Sequence, residues 1–266
     1  MNGKIRSFIF CLSIVLQYIL TPHASSCPEV QDQKSQDTFS SKQREVIFAL
    51  YPFGRMSRLE NEVPVGGWVT LLKNTFSSAQ VPLKIVFVPT KRAVHLIYSG
   101  KADMILSMIN HPMFLDDIAQ FGSQKLIKLQ VGIVSHFSQE GGPYDFIRNQ
   151  RLGAIRGYSY DGVISRFSPK QLVPVNSHPQ LFRMVKAKRL LFGLTYEEIF
   201  RQSKFYHASG LHFTQIQESH LYFGLSKLSS LDCSIILRLE KAYRQLLSKG
   251  ELRDCCAQFI VTQDNE

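Results

Sequence analysis

The chain has 266 residues and a formal charge of +10, with 44% hydrophobic and 20% charged residues. These fractions are ordinary for a globular protein and allow a well-packed core. Lysine and arginine are scattered along the chain rather than gathered in a basic run, which argues against nucleic-acid binding. The positive charge therefore indicates either an ordinary basic surface or an anionic ligand.

The first 26 residues have the pattern of a secretory signal peptide. Lys4 and Arg6 precede an apolar run over residues 7–20, and small residues follow it. A membrane anchor is the alternative, but the run is shorter than the ~20 residues that a spanning helix needs. We predict cleavage before Cys27 and a periplasmic protein. A lipid anchor on Cys27 is less favoured, because Ala24 stands where lipoprotein signals carry an aliphatic residue.

Strand and helix patterns alternate along the first half of the mature chain. Residues 27–45 are polar and indicate a flexible leader. Short β-branched and aromatic runs then alternate with segments of helical periodicity. Thr90 is a candidate N-cap, and Gly100 a candidate helix terminator. The predicted elements are strands at 46–51, 83–88 and 103–108 and helices at 68–79 and 90–98.

The same alternation returns in the second half, and it indicates βαβ units with a parallel sheet. Two further apolar segments, 126–136 and 221–227, are predicted to cross between two lobes. The first lobe would comprise 46–130 and 222–266, and the second 131–221. The remaining elements are strands at 152–155, 172–175 and 190–194, and helices after Gly157, at 178–186 and at 231–247.

The cysteines indicate a disulfide rather than a metal site. An oxidising periplasm favours a bridge between Cys233 and either Cys255 or Cys256, which point in different directions on a helix. The sequence contains no CxxC or HExxH motif and no recognisable nucleophile–base arrangement. We therefore predict no metal, no cofactor and no catalytic residue.

Four stretches occur in a recognisable order: 89–93 followed by 100–103, 153–159, 221–227 and 239–252. Their order resembles that of the bacterial extracellular solute-binding proteins of family 3, the polar amino-acid-binding type. This resemblance implies a Venus-flytrap fold, in which two α/β lobes joined by two hinge crossings close on a ligand. It also implies a membrane partner that receives the closed form.

Two departures set the chain apart from the amino-acid-binding members. The family's arginine, which clamps the ligand carboxylate, would fall at Phe114. The family's acidic residue, which holds the ligand ammonium, would fall within 190–195, where no carboxylate occurs before Glu197. We therefore expect the fold without the amino-acid specificity.

Ligands of open α/β sheets lie beyond the carboxyl ends of the strands, and the candidate site residues were chosen there. Tyr51 and Phe53 could wall in a ligand or simply pack in the core. Arg92 could pair with a ligand anion or with a carboxylate of the protein. Asn110 could hydrogen-bond to a ligand, or it could be a turn residue before Pro112. The full set is Tyr51, Phe53, Trp68, Arg92, Met108, Asn110, Arg156, Gly157, Tyr158, Ser159 and Thr195.

The strongest candidate is the turn at residues 156–159. Gly157 permits a tight turn, and the amides of Tyr158 and Ser159 would face the cleft at a helix start, where carboxylates and phosphates bind. Arg156 would add charge if it pointed inward. The alternative is an exposed turn without a ligand.

These observations predict a monomeric binding protein for a small polar or anionic solute, with no chemistry of its own. An uptake protein would deliver the solute to an inner-membrane permease of the ABC type. A sensor module docking on a receptor is the alternative, and an enzyme on the same scaffold is a weaker one.

Overall fold

The computed structural model describes residues 44–109, 119–137, 147, 149–208 and 210–252. The predicted signal peptide and the positions of Cys27, Asn110, Phe114, Cys255 and Cys256 lie outside these residues. Within them, no helix has both the length and the apolarity that a membrane span requires.

The first half alternates strands and helices as predicted, with one additional hairpin. Helix α1 buries Trp68, Leu71, Leu72, Thr75 and Phe76, which is the face expected from their spacing. The elements are β1 (Val46–Leu50), β2 (Arg58–Glu60), β3 (Val63–Val65), α1 (Gly67–Ser78), β4 (Leu83–Phe87), α2 (Thr90–Tyr98) and β5 (Met104–Ser107).

The prediction that Thr90 caps α2 is wrong. Thr90 is the first helical residue, and Pro89 holds the N-cap position without a side-chain hydrogen bond to the helix. The proline ring fixes φ at −55° and leads directly into the helix. Gly100 ends the segment as predicted, with a φ of +65° that suits glycine.

The second half has the predicted strands and helices, apart from the helix after Gly157. A short 3-10 turn over Val163–Arg166 stands in that region. The elements are β6 (Ala119–Phe121), β7 (Ile127–Ser135), β8 (Leu152–Ile155), β9 (Leu172–Val175), α3 (His178–Lys186), β10 (Phe192–Tyr196), α4 (Glu197–Arg201), α5 (Phe205–Ala208), β11 (His212–Ser226) and α6 (Ser234–Ser248).

Two sets of parallel strands are joined through the long strand β11. In the first lobe, β1 pairs in parallel with β4 and β5. In the second lobe, β8 pairs in parallel with β9 and β10. Strand β11 pairs with β7 over residues 212–221, then with β5 and β6 over 222–226. It therefore runs from the second lobe into the first.

The sheets are mixed rather than wholly parallel. Strand β7 is antiparallel to both β10 and β11, and β11 is antiparallel to β5. The expectation of a parallel sheet fails at these strands because the two crossing segments run in opposite directions and pair with each other. Helix α6 packs on α1 of the first lobe, and α3 packs on the strands of the second.

Candidate functional site between the lobes

Six aromatic side chains meet where the two lobes face each other, and we call them the interlobe aromatic cluster. Tyr51 and Phe53 follow β1, and Trp68 comes from α1. Tyr158 and Tyr160 follow β8, and Tyr196 ends β10. Every member is buried. Phe53 lies at the centre, with ring-centroid distances of 4.4 Å to Trp68, 4.9 Å to Tyr196 and 6.1 Å to Tyr158.

Hydrogen bonds also link the lobes around this cluster. The Tyr158 hydroxyl donates to the carbonyl oxygen of Pro52 at 2.8 Å, and it also hydrogen-bonds with the Thr90 side chain. The Tyr196 hydroxyl lies 3.7 Å from the sulfur of Met108. These contacts hold the first lobe against the second.

The tyrosine hydroxyls of the cluster are neutral hydrogen-bonding groups. Burial raises the pKa of Tyr51, Tyr158, Tyr160 and Tyr196 above the ordinary value, because the phenolate form would lose its hydration. Tyr51 donates to the carbonyl oxygen of Leu106 at 3.0 Å. These groups orient the rings without placing charge in the cleft.

Two cavities flank Tyr158 and Thr90, which line both. The first, the small chamber, has a volume of about 30 Å³ and could hold a water molecule. Its lining includes Tyr51, Phe53, Met108, Gly157, Ser159 and Tyr196. The second, the large chamber, has a volume of about 390 Å³, which lies within the size range of small-molecule sites.

Both lobes contribute to the large chamber. Pro52, Arg55 and Pro89 come from the first lobe, whereas Arg156 and His178 are among those from the second. A solute in this chamber would therefore contact both lobes at once. Further lining residues are Ile155, Asn176, Phe182, Ile199 and Gln202.

The charged groups of the large chamber are all cationic. Arg55 and Arg156 are exposed at its edge, and no aspartate or glutamate of the described ranges lines it. Among the described residues, neither guanidinium has an ion-pair or hydrogen-bond partner. The chamber therefore presents positive charge that no carboxylate of the described chain neutralises.

His178 is a buried, neutral group on the wall of the large chamber. It is 8% exposed and follows Ser177, the N-cap of α3. Burial lowers its pKa to about 3, because the imidazolium form would be desolvated. Its Nε2 atom has no hydrogen-bond partner among the described residues.

The structure brings most of the predicted site residues to the two chambers. Arg156 lines the large chamber, Tyr158 lines both, and five others line the small one: Tyr51, Phe53, Met108, Gly157 and Ser159.

Three other predicted residues line neither chamber. Trp68 is fully buried behind Phe53. Thr195 is fully buried, and its hydroxyl has no hydrogen-bond partner among the described residues. Arg92 is exposed on α2. Asn110 lies outside the described residues.

The helix start expected directly after Gly157 is wrong, because the described residues there form a short 3-10 turn. The Tyr158 amide donates to the carbonyl oxygen of Ile155 at 3.1 Å, so it is not free for a ligand. Positive φ angles at Tyr160, Asp161 and Gly162 turn the chain before the short 3-10 turn begins. These angles are incompatible with an α-helix.

Several chamber residues escaped the sequence-based prediction. The segment Asn176-Ser177-His178-Pro179 has an N-cap followed by a proline in the first helical turn, which signals a helix start directly after a strand. That signal could have pointed to His178. No local pattern distinguishes Arg55 or Gln202, whose chamber positions depend on the approach of the lobes. Among the described residues, no cluster of metal-ligating side chains occurs.

No protein-family model matches the chain, and no curated protein matches it significantly. Solved structures, in contrast, match the fold of this chain. A histidine kinase sensor domain similar to periplasmic binding proteins matches with a TM-score of 0.69 at 13% identity, over 83% of this chain and 99% of that domain.

Solute-binding proteins of known structure match at a similar level. The arginine-, lysine- and histidine-binding protein ArtJ of Geobacillus stearothermophilus has a TM-score of 0.65 at 12% identity, covering 80% of this chain and 93% of ArtJ. A mutant of ArgBP from T. maritima has a TM-score of 0.64 at 18% identity, covering 79% and 93%. The predicted fold class is thereby confirmed: the chain has the two-lobed α/β fold of the periplasmic binding proteins.

Proposed function

We propose that this chain is an exported solute-binding protein that captures a small polar or anionic solute between its lobes and performs no chemistry. The observation that carries the proposal is the large chamber, a cavity of about 390 Å³ whose walls come from both lobes and whose charged groups, in the part of the chain that the structure describes, are two arginines. Its size suits a small molecule, and its charge suits an anion.

Lobe closure supplies the mechanism. A solute that contacts both lobes gains contacts in the closed state that it lacks in the open state, so it shifts the population towards closure. The Tyr158–Pro52 hydrogen bond and the packing of Phe53 on Tyr196 add to the closed state. A membrane partner would distinguish the closed form from the open one.

The lobe boundaries are part of this proposal, with 46–130 and 222–266 in the first lobe and 131–221 in the second. The change of partner along β11 supports the second boundary, because Leu221 pairs with β7 and Tyr222 pairs with β5. Signal-peptide cleavage, a periplasmic location and a monomeric state complete the proposal.

A thermal-shift screen of amino acids, small carboxylates, sugars and phosphates tests the binding function. Trp68 is the only tryptophan and packs 4.4 Å from Phe53, so its emission should respond when a solute changes the contact between the lobes. A solute that raises the melting temperature should lose about tenfold in affinity with Arg156→Ala, since a charge-assisted hydrogen bond contributes ~1.5–3 kcal/mol.

Arg92→Ala is the matched control, because Arg92 is exposed and lines neither chamber. Unchanged affinity in both Arg156→Ala and Arg55→Ala would place the ligand elsewhere and refute the proposed cleft.

Uptake through an inner-membrane permease is the role that we propose, and a sensor role is the second candidate. The sensor role is supported by the match to a histidine kinase sensor domain, which this chain covers almost completely. Deletion of the gene distinguishes the uptake role from the sensor role. An uptake protein predicts loss of labelled-solute accumulation, whereas a sensor predicts normal accumulation and loss of a transcriptional response to the solute.

A further inference from the structure

We infer that the large chamber takes an organic anion with an apolar, ring-sized body and no ammonium group. The inference rests on the proposed solute-binding function and names the class of solute. Three features of the described residues support it: an apolar inner wall, two arginines at the edge, and a lining without a carboxylate.

The inner wall of the chamber is aromatic and apolar. The rings of Tyr158 and His178 lie 5.5 Å apart, and those of His178 and Phe182 lie 6.2 Å apart. Ile155 and Ile199 are also buried beside the chamber. A planar or cyclic hydrocarbon body would bury apolar surface against this wall, which is the largest favourable contribution available there.

The polar edge of the chamber is built for negative charge. Arg55 and Arg156 come from opposite lobes, and among the described residues their guanidinium groups have no partner. A ligand carboxylate would give either one a charge-assisted hydrogen bond. Because the two arginines belong to different lobes, an anion that contacted both would also favour closure.

A ligand ammonium would find no counterion among the described residues that line the chamber. The two acidic residues nearest in sequence to Ile199 do not line the chamber. Glu197 pairs with Arg201 at 2.7 Å, and Glu198 accepts the Gln130 amide at 3.0 Å. An ammonium buried beside two arginines would lose hydration and gain repulsion, so an α-amino acid should bind worse than the corresponding acid without the amine.

Isothermal titration with matched probes tests the inference on the full mature protein at pH 7.5. Phenylacetate carries the acid and the ring, phenylacetamide removes the charge, L-phenylalanine adds the ammonium, and acetate removes the ring. We expect phenylacetate to bind at least about tenfold more tightly than each of the other three. Indole-3-acetate and cyclohexanecarboxylate extend the series to a larger and a non-aromatic ring.

Substitutions of Arg55 and Arg156 test whether these two side chains bind the ligand carboxylate. Arg55→Gln combined with Arg156→Gln should weaken phenylacetate binding by about tenfold or more and leave phenylacetamide binding unchanged. Arg189→Gln is the matched control, since Arg189 is exposed and does not line the chamber. All three arginines lie on the surface, so these variants should fold.

Three results would overturn the inferred class: phenylacetamide binding as tightly as phenylacetate, L-phenylalanine binding more tightly, or none of the three cyclic carboxylates binding. If another solute from the broad screen binds in an Arg156-dependent way while these acids do not, the class is wrong and the binding function stands. If neither the broad screen nor the panel of acids yields a ligand whose affinity depends on Arg55 or Arg156, both the inferred solute class and the proposed binding function are rejected.

Discussion

Replacing Tyr158 with phenylalanine measures how much the Tyr158 hydroxyl contributes to closure of the two lobes. The ring keeps its contacts with Phe53 and Tyr196, while the hydroxyl, which donates to Pro52 at 2.8 Å and also hydrogen-bonds with the Thr90 side chain, is lost. A hydrogen bond of this kind contributes ~1 kcal/mol net. If the Pro52 bond exists only when the lobes are closed, its loss alone should lower the ratio of closed to open molecules about fivefold.

Two measurements report that shift in the ligand-free protein. Small-angle scattering should show a larger radius of gyration, and the Trp68 emission should move to longer wavelength as Phe53 loses cover. Tyr243→Phe is the control, because the Tyr243 hydroxyl donates to Leu126 at 2.6 Å within the first lobe. It should lower the melting temperature without opening the lobes. If Tyr158→Phe leaves both signals unchanged, the hydrogen bond does not contribute to closure.

Other residues give equally direct expectations. Phe53→Ala should destabilise the protein by ~3–5 kcal/mol in a denaturant titration and expose Trp68, because Phe53 fills the centre of the interlobe aromatic cluster; retained Trp68 burial would contradict this. Burial raises the pKa of Glu198 to about 7, so the folded state holds a proton that the unfolded state has released. Stability should therefore fall as the pH rises from about 4.5 to about 7, and Glu198→Gln should flatten that slope in thermal melts. Burial tends to raise the pKa of Asp103, but hydrogen bonds from Arg44, the Ile47 amide and Ser229 outweigh it and lower the pKa. Asp103→Asn should thus destabilise the protein at pH 7, with a smaller difference from the parent as the pH falls through the acidic range. Non-reducing peptide mapping should find Cys233 joined to Cys255 or Cys256, and a free thiol at all three would rule the bridge out.

The elements that the sequence predicted well are those with strong local signals. Helix α1 has a regular apolar face, and α2 lies between Pro89 and Gly100. The hairpin of β2 and β3 was missed because its turn uses Asn61 and Glu62, both with positive φ, in place of the usual glycine-containing pair. Strand β11 begins at His212, well before the predicted 221, because its early residues are polar and partly exposed and show no apolar alternation.

In the candidate site too, some residues could be predicted from local sequence signals and others could not. Tyr51, Phe53 and Tyr158 could be named because each follows a predicted strand, and the carboxyl ends of such strands converge. The large chamber could not be predicted, since Arg55, Asn176 and Gln202 lie in three distant segments. Nothing local ties Arg55 to Gln202, yet the Arg55 amide donates to the Gln202 side chain at 3.2 Å across the lobes. Such proximity depends on how the lobes close.

The missing acidic residue has a physical consequence at the end of β10. Directly after residues 190–195, where the resembling family would place an acidic residue, this chain has Tyr196, whose ring lies 5.2 Å from Tyr160 and 4.9 Å from Phe53. A carboxylate among these buried rings would remain unpaired without a ligand ammonium, and it would oppose closure through the cost of its desolvation. A neutral tyrosine carries no such cost, so the rings can pack directly across the lobes. The small chamber beside these rings has a volume of about 30 Å³, and the chamber in which we propose that a solute binds lies beyond Tyr158, beside Arg55 and Arg156.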